Sequence, residues 1–183
     1  MRPSSIHKHN SQYLFLISAV MFCLQSFDAA SQTIYNVGEG QSYSTIQSAI
    51  DAVPRNLAGL GEQRIVIHRK TGSAPWIYTG NIFLEGGDEG IQNASTNDFV
   101  RITVAETDRH NGVAGTGVQL LLSAGENVGI TLPHSIVEWL DIKGSDGDGV
   151  VDCRGANVLL QNLIVHDNIV DDDNNGITCE RTG

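Results

Sequence analysis

Five aspartates toward the end of the sequence have the types and spacing to do chemistry. Asp146 and Asp148 occupy one turn, and Asp171, Asp172 and Asp173 another, each turn flanked by short apolar runs. Stacked turns would gather most of these carboxylates at short range, where they repel one another unless a hard cation takes up their oxygens, as Ca²⁺ does. Asp146, Asp148, Asp171 and Asp173 are therefore the expected metal ligands, with Ca²⁺ as the expected cofactor. Lys143 and Arg154 flank the first turn and are the expected substrate-binding residues. The plainer alternative is that these turns are solvated corners, since Asp and Asn suit tight turns.

Other motifs carry less. Asp171-Asp-Asp-Asn-Asn-Gly176 matches the first half of an EF-hand loop but has Thr182 at the twelfth position and no flanking helices. Asp146-Gly-Asp-Gly-Val-Val-Asp152 resembles a dockerin calcium loop in the same partial way, with Gly144 at its first ligand position. Gly112-Val-Ala-Gly-Thr-Gly117 has neither the lysine of a phosphate loop nor the order of a dinucleotide-binding turn, and reads as a flexible turn. His110 and His166 are isolated in sequence and read as surface or packing residues. Asn93-Ala-Ser95 is a glycosylation sequon, of consequence only in a eukaryotic secretory pathway.

The elements that must position these groups are repeated strands. Leu140-Asp-Ile142 recurs as Leu163-Ile-Val165 and Val151-Asp-Cys153 as Ile177-Thr-Cys179, while the acidic turn between them lengthens. Constant strands with variable turns are what a parallel solenoid needs, because each coil supplies its strand to the next and only turns can bulge outward. Strands are expected at Ile65 to His68, Ile77 to Leu84, Phe99 to Ala105, Val118 to Leu122, Gly129 to Leu132, Ile136 to Ile142, Val150 to Cys153, Val158 to Val165 and Ile177 to Cys179. The register stacks Cys153 on Cys179 and sets Arg154 beside Glu180 as an opposite-charge pair. Asn157 is expected to take a left-handed conformation at a corner. The loops Glu85 to Asp98 and Glu106 to Gly117 are expected to project from the first coils.

Ahead of these strands lies one helix, with Ser44 as the expected N-cap, Gln47 three residues on, and Ile46, Ala49, Ile50 and Val53 forming one apolar stripe that Pro54 ends. An open solenoid end exposes a sheet edge and an apolar interior, and this helix is placed to cover both. Arg2 and Lys8 before an apolar run from Tyr13 to Leu24, followed by Ala29-Ala30-Ser31, read as a signal peptide cleaved near Ala30 or Ser31. The expected organisation is residues 1–31 as signal, 32–54 as strand and capping helix, and 55–183 as coils. Because Glu180-Arg-Thr-Gly183 follows a strand with no closing element, the coils are expected to continue past Gly183.

The formal net charge is −10, which argues against nucleic acid as a partner. After loss of the signal no membrane span is expected, and the protein is expected to be secreted, periplasmic or at the cell surface. Cys153 and Cys179 then remain in a compartment that permits disulfides. In-register side chains point the same way, so two buried thiols are favoured over a bridge.

Tyr43-Ser-Thr-Ile-Gln-Ser-Ala-Ile-Asp-Ala-Val-Pro54, Arg64-Ile-Val-Ile-His68 and Trp76-Ile-Tyr-Thr-Gly80 resemble the N-terminal cap and first coil of right-handed parallel β-helix proteins of the pectin-lyase-like superfamily, and Ala156-Asn-Val-Leu-Leu-Gln-Asn-Leu-Ile-Val-His-Asp167 resembles their generic coil. The resemblance spans about residues 33–183 and implies an all-β, right-handed parallel β-helix with a short capping helix. It also implies an extracellular acidic polysaccharide as partner, with lyase-type cleavage in which Ca²⁺ binds the uronate carboxylate and an Arg or Lys removes the C5 proton; Lys143, Arg154 or Arg181 could fill that role, and the sequence does not choose among them. The cap is most similar to that of pectin methylesterases, yet no Asp-Phe-Ile-Phe-Gly-like block and no matching glutamine motif is present, so no residue carries an esterase reading. The alternative function is a non-catalytic adhesin or surface scaffold.

Overall fold

The computed structural model describes residues 31–144, 150–167 and 176–180. Its strands are β1 (Thr33–Val37), β2 (Gln63–Ile67), β3 (Trp76–Thr79), β4 (Ile82–Leu84), β5 (Val100–Val104), β6 (Val118–Leu122), β7 (Val128–Ile130), β8 (Ile136–Glu138), β9 (Asp141–Gly144), β10 (Val151–Cys153), β11 (Leu159–Gln161), β12 (Ile164–His166) and β13 (Ile177–Cys179), with one helix, α1 (Ile46–Asp51). They form three sheets, ordered β1-β2-β5-β8-β11, β3-β6-β9-β12 and β4-β7-β10-β13. All strand pairings between them are parallel. From β2 onward, consecutive strands visit the three sheets in rotation, which is the solenoid-like, all-β arrangement the repeat predicts.

The register of the two best repeats is the expected one: Val151 pairs with Ile177 and Cys153 with Cys179, while Ile142 pairs with Val165. Side chains alternate across each strand. Ile65, Ile102, Leu120, Ile142, Ile130 and Val151 point inward and are fully or almost fully buried, so the core is a stacked apolar column between the three sheets.

Three of the expected strands are each divided in two. The breaks fall at Gly80, Trp139 and Asn162, all with positive φ, because a single left-handed residue turns the chain from one sheet into the next. Corners stack as strands do. His134 lies 23 positions before Asn157, Trp139 the same distance before Asn162, and Gly144 before Asp167, and all six are left-handed. Asn157 is thus confirmed as a corner residue. Asn162→Ala is expected to cost about 1 kcal/mol, the penalty of forcing a Cβ-bearing residue without a local polar bond into this conformation, whereas Asn162→Gly stays near neutral; urea midpoints check the difference.

The helix begins one residue later than expected. Thr45 is the N-cap, extended at φ −129° and ψ 155°, and its side chain accepts from the Ser48 amide in a capping box. Gln47 serves the neighbouring sheet instead: its Oε1 accepts from the Phe83 amide at 2.8 Å and its Nε2 donates to the Phe83 carbonyl at 3.3 Å. That amide occupies the free edge of β4, and α1 buries Ile46, Ala49 and Ile50 against the first coil, consistent with a lid.

Two further expectations are corrected. Cys153 and Cys179 form a disulfide rather than two thiols; parallel stacking brings their Cα atoms to 4.6 Å, and Cys179 on the last strand is exposed rather than packed in the interior. Arg154 pairs with Asp152 on its own strand segment, with Nε 3.0 Å and Nη2 2.8 Å from the carboxylate oxygens; Glu180 contributes only a longer-range attraction. The bridge ties β13 to β10, and nearest-neighbour contacts dominate a stacked array. Reduction is therefore expected to expose the amides of Ile177–Cys179 to hydrogen exchange while those of β2 and β5 keep their protection.

Candidate functional site

The site lies on the outer face of the β3-β6-β9-β12 sheet. Leu140 and Ile142 point into the core with no exposure, so alternation directs Asp141 and Lys143 outward. Pairing then sets Gln119 beside Asp141, and Leu121, Lys143 and His166 in one row across β6, β9 and β12.

The segment 106–117 does not project, as the sequence led us to expect; it lies down over this face. It opens with a short 3-10 turn, Glu106–Asp108, anchored where the buried Asp108 carboxylate accepts from the Arg69 amide at 3.0 Å. His110, only 6% exposed, donates from Nε2 to the Asn162 carbonyl at 2.8 Å and accepts at Nδ1 from the Gly112 amide at 3.2 Å. A carbonyl can only accept and an amide N–H only donate, which fixes these roles. Its ring lies 5.7 Å from that of Trp139, over which the Arg109 guanidinium sits at 4.8 Å. A Cβ on Gly117 would come within 2.4 Å of the His110 nitrogen, so the segment closes on itself only with glycine there.

This strap completes the environment of Asp141, whose side chain has no exposure. Its Oδ2 accepts from the Gly115 amide at 2.6 Å and from Gln119 Nε2 at 3.0 Å, and its Oδ1 accepts from His166 Nε2 at 2.9 Å. A buried carboxylate with donors on both oxygens cannot reorient, so it holds the imidazole in one orientation and places the hydrogen on Nε2. Nδ1 is left facing the surface. There it meets Asp167 Oδ2 at 3.3 Å, and the same oxygen lies 2.9 Å from Lys143 Nζ. Hydrogen bonding to Lys143, and then the Lys143 charge, hold the Asp167 carboxyl below the usual carboxylate range.

Lys143 is thus in a cluster with His166, Asp141 and Asp167. Arg154 is not: it follows β10, on a different sheet, and is engaged by Asp152. The expected ligands Asp146, Asp148, Asp171 and Asp173, and the alternative base Arg181, lie outside the described residues. Among the described residues, no group of three His, Cys, Asp or Glu side chains converges as a metal site, and no helix is long and apolar enough to cross a membrane.

Asp141 and Gln119 belong to no motif in the sequence, and His166 reads there as a surface or packing residue. Asp141 sits between two core residues in Leu140-Asp-Ile142, and a charge at the centre of an apolar triplet is a signal. The shift of the repeat also places His166 beside Lys143. What no repeat could show is the strap that buries Asp141.

Comparison of the chain with protein-family models, with curated proteins and with solved structures finds no match.

Proposed function

We propose that this chain is a secreted, right-handed parallel β-helix of the pectin-lyase-like kind that binds an extracellular acidic polysaccharide on the outer face of β6, β9 and β12 and cleaves it by elimination. The observation that carries this reading is the surface pair of Lys143 and His166 around a single carboxylate oxygen, with His166 backed by the buried Asp141. Asp167 marks Lys143 as the place where a uronate carboxylate would sit, beside rather than over Nδ1.

In that position Lys143 would neutralise the carboxylate, which makes the proton on the adjacent ring carbon, C5, more acidic. His166 Nδ1 would take that proton, the electron pair would form the C4=C5 double bond, the C4–O bond would break, and the departing oxygen would gain a proton from solvent. Asp141 would steady the imidazolium as it forms, the role a buried carboxylate has behind a histidine base. Of the bases the resemblance offers, Lys143 serves the carboxylate, Arg154 follows a strand of a different sheet and Arg181 lies outside the described residues; His166 takes the role here. The calcium role proposed for Asp146, Asp148, Asp171 and Asp173 is separate from these steps.

The test is incubation of the full chain with polygalacturonate, polymannuronate and polyguluronate, with and without added Ca²⁺, followed by ultraviolet absorbance of the conjugated product. Product from any of them supports cleavage. Polymer binding without product favours the adhesin or scaffold reading, and neither binding nor product removes the acidic polysaccharide.

A further inference from the structure

Asp167 has an unusual position for a residue in the middle of a binding cluster. It sits at a left-handed corner, φ 52°, directly one coil on from Gly144, φ 86°. The earlier coil makes the same corner with no side chain at all, so the turn itself does not call for a carboxylate. The Asp167 side chain is 62% exposed, yet its Oδ2 contacts both Lys143, itself 40% exposed, and His166. These are a surface ion pair and an exposed edge contact, the kind that forms and breaks readily. By contrast, Asp141 on the other side of the ring is fully buried with three donors and stays in place.

We propose that Asp167 is a displaceable internal anion: in the free protein it holds the Lys143 subsite and covers His166 Nδ1, and it yields Lys143 to the carboxylate of an incoming uronate. The inference rests on reading that subsite as a carboxylate site. Its chemistry follows from the tautomer that Asp141 imposes. With hydrogen on Nε2, the outward Nδ1 is the only ring atom able to accept a substrate proton, and Asp167 blocks it. A substrate carboxylate that draws Lys143 away also releases Asp167 from its stronger partner, so binding the correct polymer uncovers the base. Neutral glycans have no group to compete with Asp167 and leave Nδ1 covered. The same side chain therefore restrains the idle site and discriminates for charged sugars.

Asp167→Asn removes the competing charge while keeping a residue type that tolerates a left-handed corner, and Asp167→Gly copies the corner of the previous coil. Acetate is the probe, titrated into the full chain while the His166 ring resonances are followed by NMR. Both variants are expected to bind acetate about fivefold more tightly than the native chain, the factor by which a weak surface pair depletes the open state. Adding Lys143→Met to Asp167→Asn is expected to abolish that gain. Equal acetate affinity in the native chain and both variants overturns the proposal, as does a gain that persists without Lys143. Tighter acetate binding by the variants together with no binding of any polyuronate leaves Asp167 as an internal anion and instead removes the polysaccharide reading.

Discussion

His166→Gln is expected to lower the elimination rate by roughly 10²–10⁴, the range over which a positioned acid–base group contributes, while polymer affinity changes only a few-fold. Glutamine can still donate toward Asp141 but offers no basic nitrogen at the surface, so the loss should fall on kcat rather than KM. Asp141→Asn addresses orientation. Its amide presents a donor where His166 Nε2 needs an acceptor, so the ring turns or changes tautomer, and the buried site loses its fixed arrangement. A pH–rate profile that keeps its shape in Asp141→Asn, with unchanged kcat, would show that Asp141 does not act through His166.

The second large effect is structural. On the outer face of the first sheet, Arg101 donates from Nε to Glu62 at 2.7 Å and from Nη1 to Glu138 at 3.1 Å. Arg64 holds the other side of Glu62, and Gln161 donates to Glu138. The row ties coils together through mostly buried groups, with Arg101 19% and Glu138 8% exposed. Arg101→Leu leaves both carboxylates short of their cation, and a loss of about 3 kcal/mol is expected, the lower end for breaking a buried pair because this one is partly solvated. Burial pushes the Glu62 carboxyl up, but hydrogen bonds from Arg64 and Arg101 outweigh it and hold it below the ordinary value. At Glu138 burial is likewise outweighed, first by the Gln161 hydrogen bond and with Arg101 contributing. The folded chain therefore binds fewer protons here than the unfolded chain. This stability is fully present above the unfolded glutamate value, about 4.3, and is lost as the pH falls through the lower folded values. Urea midpoints taken across that acid window should fall steeply for the native chain and more gently for Arg101→Leu; parallel slopes would mean Arg101 does not set these carboxyls.

The strands are legible because core alternation and a repeat shift of 23 or 26 positions fix both face and register. Pairings such as Cys153 with Cys179 can be written down from the chain alone. Corners are legible only where the residue advertises its conformation: Asn157 does so, whereas Trp139 and His134 do not, since nothing in a bulky side chain signals a left-handed backbone. Trp139 is held there by Arg109 and His110, contributed by a segment some thirty positions earlier. The helix cap shifts by one residue for a local reason, since Ser44 and Thr45 are both good caps and Gln47 is drawn instead to the β4 edge. The candidate site is half legible. Lys143 stands out as a cation beside an acidic turn, but the burial of Asp141 depends on residues 106–117, whose glycines and polar residues resemble a free loop until His110 finds the Asn162 carbonyl. Arg154 is misread because neighbours along its own strand compete with neighbours across the sheet, and Asp152 is nearer than Glu180.

Lys143 and His166 are proposed as the binding site for an acidic glycan. Calorimetric titration of short, defined uronate oligosaccharides into the native chain and into a Lys143→Met, His166→Gln double variant tests it most directly, with the thermal midpoint of each checked so that loss of binding is not loss of fold. Saturable heat is expected from the native chain and none from the folded double variant. Equal binding by the two would contradict it and place any glycan site elsewhere on the molecule.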